Sequence, residues 1–379
     1  MEYLRLKDAC EILDSLRVPV TASNREKGKY PYYGANGIQD YISDYIFDDE
    51  LVLLAEDGGN FGSKEKPIAY RVSGKCWVNN HAHVLKPKQG LDVDYLCYSL
   101  MFYKVDGMVN GATRQKLTQT AMKEMKIPMR NMGKQLQIVD ELNRTVNVKE
   151  HRKQQLKLLD ELMKARFVEM FGDPVKNDKG WRTLPLEDSC KSIVDCPHST
   201  PAYTTEYTGY MCIRTSIIKK NKIMWDEVEY ISEEEFVKRI QRKKPEVGDV
   251  VYTREGAILG IAAIIDRKCN VALGQRLMLL SPDTNKCISE FLCVAMNCDS
   301  FLNNALKGVA GSASPHINVG DIKMFRMIMP PIELQNQFSD FVRAIDKSKV
   351  NYYYKNRKGG FPPLLFIYSV TTITNLPGC

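Results

Sequence analysis

The sequence predicts an α+β protein in which two mixed α/β domains alternate with two long helices. The first observation behind this prediction is an internal repeat, in which Gly111, Lys123, Met129, Gln135, Gln137 and Asp140 recur without gaps as Gly311, Lys323, Met329, Gln335, Gln337 and Asp340. The second is a helical pattern that follows each copy, since residues 134–171 contain neither Gly nor Pro. A repeat this long indicates a duplicated domain rather than a solenoid unit.

Residues 1–130 are predicted to form the first mixed domain. Apolar runs at 51–55, 68–72 and 83–85 favour strands, and 95–103 favours a short helix. A long helical spacer is predicted at 131–173, because apolar residues recur there every three to four positions. At 1.5 Å per residue, its Gly- and Pro-free part would reach roughly 57 Å.

Residues 174–330 repeat the mixed pattern as a second domain. Strands are predicted at 250–253, 261–265 and 277–280, and a helix at 289–306. A second helical spacer, 331–358, should start near Glu333 and is shorter than the first. The tail, 359–379, contains no charged residue, so a shifted reading frame, a truncation and a genuinely divergent terminus all remain open.

The composition is ordinary for a soluble globular protein. The chain has 379 residues, of which 44% are hydrophobic and 26% charged, and its net charge is +7. That basic excess permits a nucleic-acid partner without requiring one. The 11 cysteines form no CxxC pair, and the first residues lack the basic and apolar regions of a secretory signal. We therefore expect reduced thiols, a cytoplasmic location and no membrane segment.

The sequence lacks the motifs of the common nucleic-acid enzymes. It contains no GxxxxGK[ST] phosphate loop and no HExxH pattern, and it has 5 His. The dipeptides Pro330-Pro331 and Pro362-Pro363 lack the flanking acid or amide and aromatic residue that an adenine methyltransferase needs. No catalytic residue and no metal site is therefore predicted.

Three segments, together with the duplication, carry a resemblance to a known family. They are the run Tyr-Pro-Tyr-Tyr-Gly-Ala-Asn-Gly at 30–37, the segment 162–174 followed by Gly180-Trp181, and Met-Pro-Pro-Ile-Glu-Leu-Gln at 329–335. In order and spacing they resemble the specificity (S) subunit of type I restriction–modification systems. The resemblance covers about residues 1–350 and departs from the family at the shortened second helix.

The resemblance implies a DNA-recognition subunit that has no catalysis and no cofactor of its own. In the family, two target-recognition domains each read half of a bipartite, asymmetric site in double-stranded DNA. Their long helices pair antiparallel as a coiled-coil spacer. Two methyltransferase (M) subunits bind S-adenosylmethionine and methylate adenine, and restriction (R) subunits use ATP and Mg. The target sequence and the spacer length are not implied.

Polar residues in Gly-bearing loops between apolar strands are the candidates for reading DNA, because base edges and phosphates are contacted by such side chains. In the first domain they are Asn36, Asn60, Asn79, Asn80, His81, Arg114 and Lys116. In the second they are Arg214, Thr215, Arg254, Gln275, Arg276, Ser312, His316 and Asn318. His81 should correspond to Arg276, and Lys116 to His316, so that equivalent positions carry different readers.

Two other functions remain open from the sequence. A stand-alone DNA-modifying enzyme is disfavoured by the missing motifs, and a structural adaptor without DNA binding would lack salt-sensitive DNA affinity. The shortened second helix adds an expectation about the first, whose apolar stripe contains Leu156, Leu159, Met163, Phe167 and Met170. Part of this stripe should lack a partner in the chain and be covered by an M subunit, a second copy or a separately encoded fragment.

Overall fold

The computed structural model describes residues 2–111, 114–307 and 315–358, with side chains described up to residue 349. The chain divides into two compact units, of which the first reaches Arg152 and the second spans Lys153–Lys355. Ser312 and the uncharged tail, 359–379, lie outside the described residues. Within those residues, no helix combines the length and the apolar character that a bilayer crossing requires.

The first unit alternates short helices with strands and ends in a long helix. Its elements are β1 (Glu2–Arg5), α1 (Leu6–Ala9), β2 (Cys10–Ile12), β3 (Lys27–Gly34), β4 (Gly37–Ile42), β5 (Phe47–Ala55), β6 (Ala69–Val78), β7 (Ala82–Pro87), α2 (Val93–Met101), β8 (Val109–Asn110), β9 (Lys116–Leu117), α3 (Gln119–Lys123), β10 (Lys126–Met129) and α4 (Met132–Phe171). The C-terminal part of α4 belongs to the second unit.

The second unit repeats this order with additional short strands. Its further elements are β11 (Thr183–Pro185), α5 (Leu186–Ser189), β12 (Cys190–Asp195), β13 (Met211–Ile213), β14 (Ile218–Lys219), β15 (Lys222–Ile223), β16 (Glu229–Tyr230), α6 (Glu233–Arg239), β17 (Val250–Thr253), β18 (Ala262–Ile264), β19 (Val271–Leu273), β20 (Leu277–Pro282), α7 (Ser289–Asn297), α8 (Asp299–Ala305), α9 (Val319–Lys323), β21 (Arg326–Ile328) and α10 (Ile332–Lys358).

The central sheets of the two units share one order of four strands, in agreement with the repeat. The first unit has the strand order β2-β7-β5-β6-β3-β4, and the second has β12-β20-β17-β18. Strands β5 and β17 lie inside these sheets and pair antiparallel with both neighbours. Residues 51–55 of β5 are all fully buried, as a continuous apolar run requires when both faces of a strand are covered. The strands predicted at 51–55 and 250–253 are therefore confirmed as β5 and β17.

One predicted helix is interrupted in the structure. Residues 289–306 form α7 and α8, separated at Cys298, whose backbone is extended (φ −60°, ψ 139°). The last residue of α7, Asn297, is buried, and its amide exchanges two hydrogen bonds with the backbone of Ala262 at 3.0 and 2.8 Å. This pairing anchors the end of α7 to β18. A continuous apolar pattern could not reveal the break.

A repeated glutamine anchors the start of each long helix. The side chain of Gln135 is fully buried, accepts from the backbone N–H of Asp92 and donates to the carbonyls of Gly90 and Arg130. Gln335 makes the same contacts, with the N–H of Ile288 and the carbonyls of Lys286 and Pro330. Buried backbone groups require such partners, so the repeated glutamines are structural.

The apolar stripe of α4 has partners in the chain over the C-terminal part of this helix, from Leu159 to Met170. Phe167 is fully buried, with its ring 5.5 Å from that of Phe338 on α10. Nearer the middle of α4, Asp160 accepts from Lys349 Nζ at 2.7 Å. These contacts advance in opposite directions along α4 and α10. Met163 and Phe167 are buried in one hydrophobic cluster with Phe338, Val342 and Ile345 of α10, and Leu159 and Met170 pack against this cluster.

Candidate nucleic-acid interface

In the first unit, most of the candidate residues lie around the loop that follows β5. Ala55, the last residue of β5, pairs with Ala82 at the start of β7, so the flanking segments emerge at the same edge of the sheet. The backbone N–H of Glu56 donates to the carbonyl of His81 at 2.9 Å. The N–H of Leu117 then donates to the carbonyl of Glu56 at 2.7 Å. These bonds join three distant segments into one rigid loop cluster.

The second unit has the same backbone framework. The N–H of Arg254 donates to the carbonyl of Arg276 at 3.1 Å, and the N–H of Ile317 donates to the carbonyl of Arg254 at 2.8 Å. Isolated bridges join Asp57 to Lys116 in the first unit and Glu255 to His316 in the second. His81 and Arg276 therefore occupy equivalent positions, as do Lys116 and His316. In each of these pairs, equivalent backbone positions in the two units carry different side chains.

A glycine completes the framework in both loops. Gly58 has φ +68° and Gly256 has φ +94°, in the left-handed region that favours glycine. Their N–H groups donate to the carbonyls of Gln115 and Pro315 at 3.0 and 3.1 Å. A side chain at position 58 would also approach the guanidinium of Arg114. The loop geometry therefore requires a glycine at both Gly58 and Gly256.

Carboxylates hold the exposed cations of the first unit in place. Arg114 Nε lies 2.8 Å from Asp57 Oδ1, and His81 Nδ1 lies 3.3 Å from Asp57 Oδ2. Lys116 Nζ lies 3.2 Å from Glu56 Oε1. The side chains of Arg114 and Lys116 are 59% and 51% exposed, so both can exchange these contacts for a ligand. A polyanion would find positioned cations here.

The four asparagines of the first unit have different environments. Asn36 donates to the carbonyl of Gly58 at 3.0 Å, which places it beside the loop, whereas Asn60 is half-buried and donates to Pro67. Asn79 is buried, and its amide bonds both Gln39 Oε1 and the N–H of His81. Asn80 is exposed. Asn79 therefore supports the turn, while its neighbours present polar groups.

Arg276 is the exposed cation of the second loop. Its backbone φ is +70°, an unusual value for a residue with a side chain, and such strain is concentrated at functional sites. The side chain is 47% exposed, with Nε 3.7 Å from Glu255 Oε1. Gln275 is half-buried beside it, and His316 is exposed.

Arg254 has a different environment, because it is buried. Its Nε and Nη2 atoms bond the two carboxylate oxygens of Asp195 at 2.9 and 3.2 Å. Arg214 and Thr215 follow β13, where the N–H of Gly274 donates to the carbonyl of Ile213. The Arg214 guanidinium lies 4.7 Å from the centre of the Tyr203 ring and pairs with Glu229.

The remaining candidates of the second unit precede α9. Asn318 is exposed, and its side chain donates to Asp321 Oδ2 at 3.1 Å. Ser312 falls outside the described residues. The structure thus brings Gln275, Arg276 and His316 to one loop cluster.

A buried polar cluster behind the first loop was missed by sequence reasoning. His83, which is fully buried, has Nδ1 2.7 Å from Asp14 Oδ2 and Nε2 2.9 Å from the carbonyl of Leu117. Arg17 Nη1 lies 2.6 Å from Glu56 Oε2, and its Nη2 lies 3.5 Å from Asp14 Oδ2. Asp14, Glu56 and His83 could together hold a metal ion by distance. The guanidinium of Arg17 already fills the cationic position between the two carboxylates.

The pKa of Asp14 follows from this environment. Burial would raise it, but hydrogen bonds from His83, Gln119 and the N–H of Val84 outweigh burial and hold the pKa below its usual 3.8. The charged form therefore stabilises the fold. That contribution is fully present above pH values near 3.8 and is lost as the pH falls through the lower folded-state pKa.

We expect Asp14→Asn to destabilise the first unit by about 3 kcal/mol at neutral pH, because it removes a buried charge from its partners. The difference from the unsubstituted protein should shrink as the pH falls below 3.8, where Asp14 itself becomes protonated. Urea unfolding between pH 7 and pH 3 measures this. Asp140→Asn is the matched control, since Asp140 is 56% exposed in an i,i+4 pair. A difference that stays constant with pH would contradict the assignment.

The two units thus repeat one loop framework that presents two different sets of polar side chains. The chain belongs to the family described as type I restriction modification DNA specificity domain, whose model matches residues 1–158 and 178–352. This confirms the predicted class, a type I restriction–modification specificity subunit, and the prediction that the chain is not itself the enzyme.

Individual relatives agree with this family. A putative type I restriction enzyme specificity subunit of Haemophilus influenzae is 37% identical over 139 residues, which cover 37% of this chain and 36% of the relative. A type I restriction enzyme specificity subunit of Methanocaldococcus jannaschii is 21% identical over 91% of this chain and 86% of its own length. The crystal structure of an S subunit from M. genitalium shares the fold, with a TM-score of 0.58 at 12% identity over 93% of this chain and 91% of that one.

Proposed function

We propose that each unit of this specificity subunit reads one half of a bipartite, asymmetric site in double-stranded DNA. The carrying observation is that the equivalent positions 81 and 276, and 116 and 316, sit on one backbone framework with different side chains. Different donors and acceptors on equivalent loops read different base edges, because the major groove presents a distinct pattern for each base pair.

Exposure and position in the loop sort the candidate residues by role in this proposal, and the half-buried His81 is counted among the reading residues because its position is equivalent to that of Arg276. His81, Arg114 and Lys116 in the first unit, and Arg276 and His316 in the second, contact bases or phosphates. The buried Asn79 and Arg254 instead hold the loops in the reading conformation. The half-buried Asn60 and Gln275 support the same loops, and the remaining polar candidates extend the contact surface.

We further propose that the helices act as a spacer and dock methyltransferase subunits. Helix α4 has 40 residues and is therefore about 60 Å long. Its pairing with α10 in the second unit supports an antiparallel coiled coil. Leu158, Leu162 and Val168, which are 60%, 50% and 53% exposed, lie away from this pairing and supply an apolar docking face.

In this proposal the chemistry belongs to partner subunits. Two methyltransferase subunits supply S-adenosylmethionine and modify adenine in DNA, and restriction subunits supply ATP and Mg. The specificity subunit contributes neither catalytic residue nor cofactor and acts in the cytoplasm. Reconstitution tests the proposal directly.

The purified chain should not methylate DNA, and adding the cognate methyltransferase subunit with S-adenosylmethionine should produce methylation at one split sequence. Methylation mapping on genomic DNA measures the site. Methyl transfer by the chain alone, or methylation without a defined sequence in the complex, would sink the proposal. Absence of salt-sensitive DNA binding by the complex would favour a protein adaptor instead.

We expect Arg276→Ala to reduce discrimination in the second half-site by about 1–3 kcal/mol if its guanidinium contacts a base in bidentate fashion. Arg267→Ala is the matched control, because Arg267 is 52% exposed and paired with Asp266 at the opposite end of the sheet. Competition binding with single-base variants of the site measures both. Equal effects of the two substitutions would remove Arg276 from the reading residues.

A further inference from the structure

An arginine ties three segments together beneath the first loop. Arg17 Nε donates to the carbonyl of Asp14 at 2.9 Å, and Nη1 donates to the carbonyl of Ala82 at 2.8 Å and to Glu56 Oε2 at 2.6 Å. Its side chain is 12% exposed, so it lies behind the loop surface. Because Ala82 directly follows His81, the position of this guanidinium fixes the backbone that presents His81.

An aspartate has the corresponding place in the second unit. Asp195, the last residue of β12, binds Arg254 through both carboxylate oxygens. Arg254 follows β17 directly, as Glu56 follows β5, and its N–H bonds the carbonyl of Arg276. The side chains of Asp195 and Arg254 are 16% and 7% exposed.

Both units thus contain a guanidinium–carboxylate ion pair at this place, here called the joint, but the acidic and basic residues have exchanged positions. The joint is Arg17–Glu56 in the first unit and Asp195–Arg254 in the second. The residue at the end of the inner strand is Glu56 in one and Arg254 in the other, and the counter-ion comes from the segment at or after the outer strand. Because of this exchange, the carboxylate of the joint contacts a different exposed side chain in each unit. Glu56 also holds Lys116 at 3.2 Å, whereas Asp195 holds the exposed His198, with Nε2 at 3.0 Å.

We propose that Arg17 and Asp195 are positioning residues for DNA recognition, each acting on the half-site read by its own unit. This inference rests on the proposed function. Arg17 sets the place of the loop that carries His81 and of the carboxylate that holds Lys116. Asp195 positions the side chain of Arg254, and the backbone N–H of Arg254 in turn positions Arg276. The reversed polarity of the joint contributes to the difference between the two half-sites.

The test uses the complete complex with methyltransferase subunits and measures methylation rates on sites carrying every single-base change. Arg17→Met should relax discrimination at one or more positions of the first half-site by about fivefold or more and leave the second half-site unchanged. Asp195→Asn should do the reverse. Arg17→Lys keeps the charge but loses the planar set of guanidinium donors, so it should retain more discrimination than Arg17→Met. Arg5→Met is the control, since Arg5 is 47% exposed in a pair with Glu124.

The outcomes are separable from simple loss of stability. A lower folded fraction reduces all rates in proportion and leaves base preference intact. Unchanged base preference in the folded Arg17→Met and Asp195→Asn complexes overturns the inference, as does an equal change in both half-sites. If Arg17→Met does not fold, Arg17→Lys decides, because an unaltered first-half profile in that variant also overturns it. Absence of site-specific methylation by the unsubstituted complex instead rejects the proposed function, and this inference with it.

Discussion

We expect that exchanging residues 180–330 for the recognition domain of another family member will change one half of the methylated site and leave the other half unaltered. The reason is that each loop cluster is assembled within one unit. The bonds that place His81 and Lys116 all come from residues of the first unit, and those that place Arg276 and His316 come from the second. Each mismatched base pair costs about 1–3 kcal/mol. Replacing a whole half-site should therefore shift preference by more than about a thousandfold.

The design must preserve the core that joins the exchanged segment to the helices. Phe291 of α7 lies inside the exchanged region, and its ring packs 5.6 Å from Phe167 and 4.9 Å from Phe171 of α4. A donor domain should carry an aromatic residue at this position, because an emptied core site costs about 3–5 kcal/mol. If the donor domain has no aromatic residue at position 291, the control is the same chimera with Phe introduced at that position.

Methylation mapping of the chimera and the unsubstituted complex measures the outcome. Alteration of both half-sites would mean that recognition is shared between the units, contrary to the separate loop clusters. Retention of both would place recognition outside 180–330.

Some of this site could be read from the sequence because the repeat preserves backbone geometry. Gly58 and Gly256 recur where a left-handed conformation is needed, and the pairing of His81 with Arg276 follows from their place before equivalent strands. The strands and long helices were predictable for the same reason, since apolar periodicity reflects burial directly.

Other features depend on contacts that sequence patterns do not encode. Arg254 was expected to read DNA, but whether an arginine after a strand faces solvent or a buried acid depends on Asp195, 59 positions away. Arg17 and Glu56 are separated by 39 positions. Neither Arg17 nor Asp195 lies in the repeat register, so no sequence pattern indicates that they have equivalent places in the two units. How much of the apolar stripe on α4 is covered depends on where α10 packs as well as on its length.

The second large effect concerns the opposite side of α4. Leu158→Glu combined with Leu162→Glu should abolish recruitment of the methyltransferase subunit and hence all methylation. These leucines are 60% and 50% exposed, whereas Met163 and Phe167, on the other side of the helix, are buried. Substitution at solvent-facing positions should leave the fold of the unit intact.

The expected loss comes from two terms. Each leucine contributes about 1.5–3 kcal/mol when it is buried at an interface, and each new carboxylate must be desolvated without a partner. Together they should weaken docking by more than about 3 kcal/mol, or more than about a hundredfold in Kd. The double variant Val237→Glu with Val247→Glu is the matched control, because these valines are 53% and 58% exposed elsewhere in the second unit.

Copurification and methylation assays at fixed methyltransferase concentration measure the loss, and thermal unfolding verifies that both double variants are folded. The control should recruit the methyltransferase as the unsubstituted chain does. Normal recruitment by the folded Leu158→Glu and Leu162→Glu variant would show that docking uses another surface. Because α10 already covers the Phe167 side of the helix, that surface would then have to lie outside the face formed by Leu158, Leu162 and Val168.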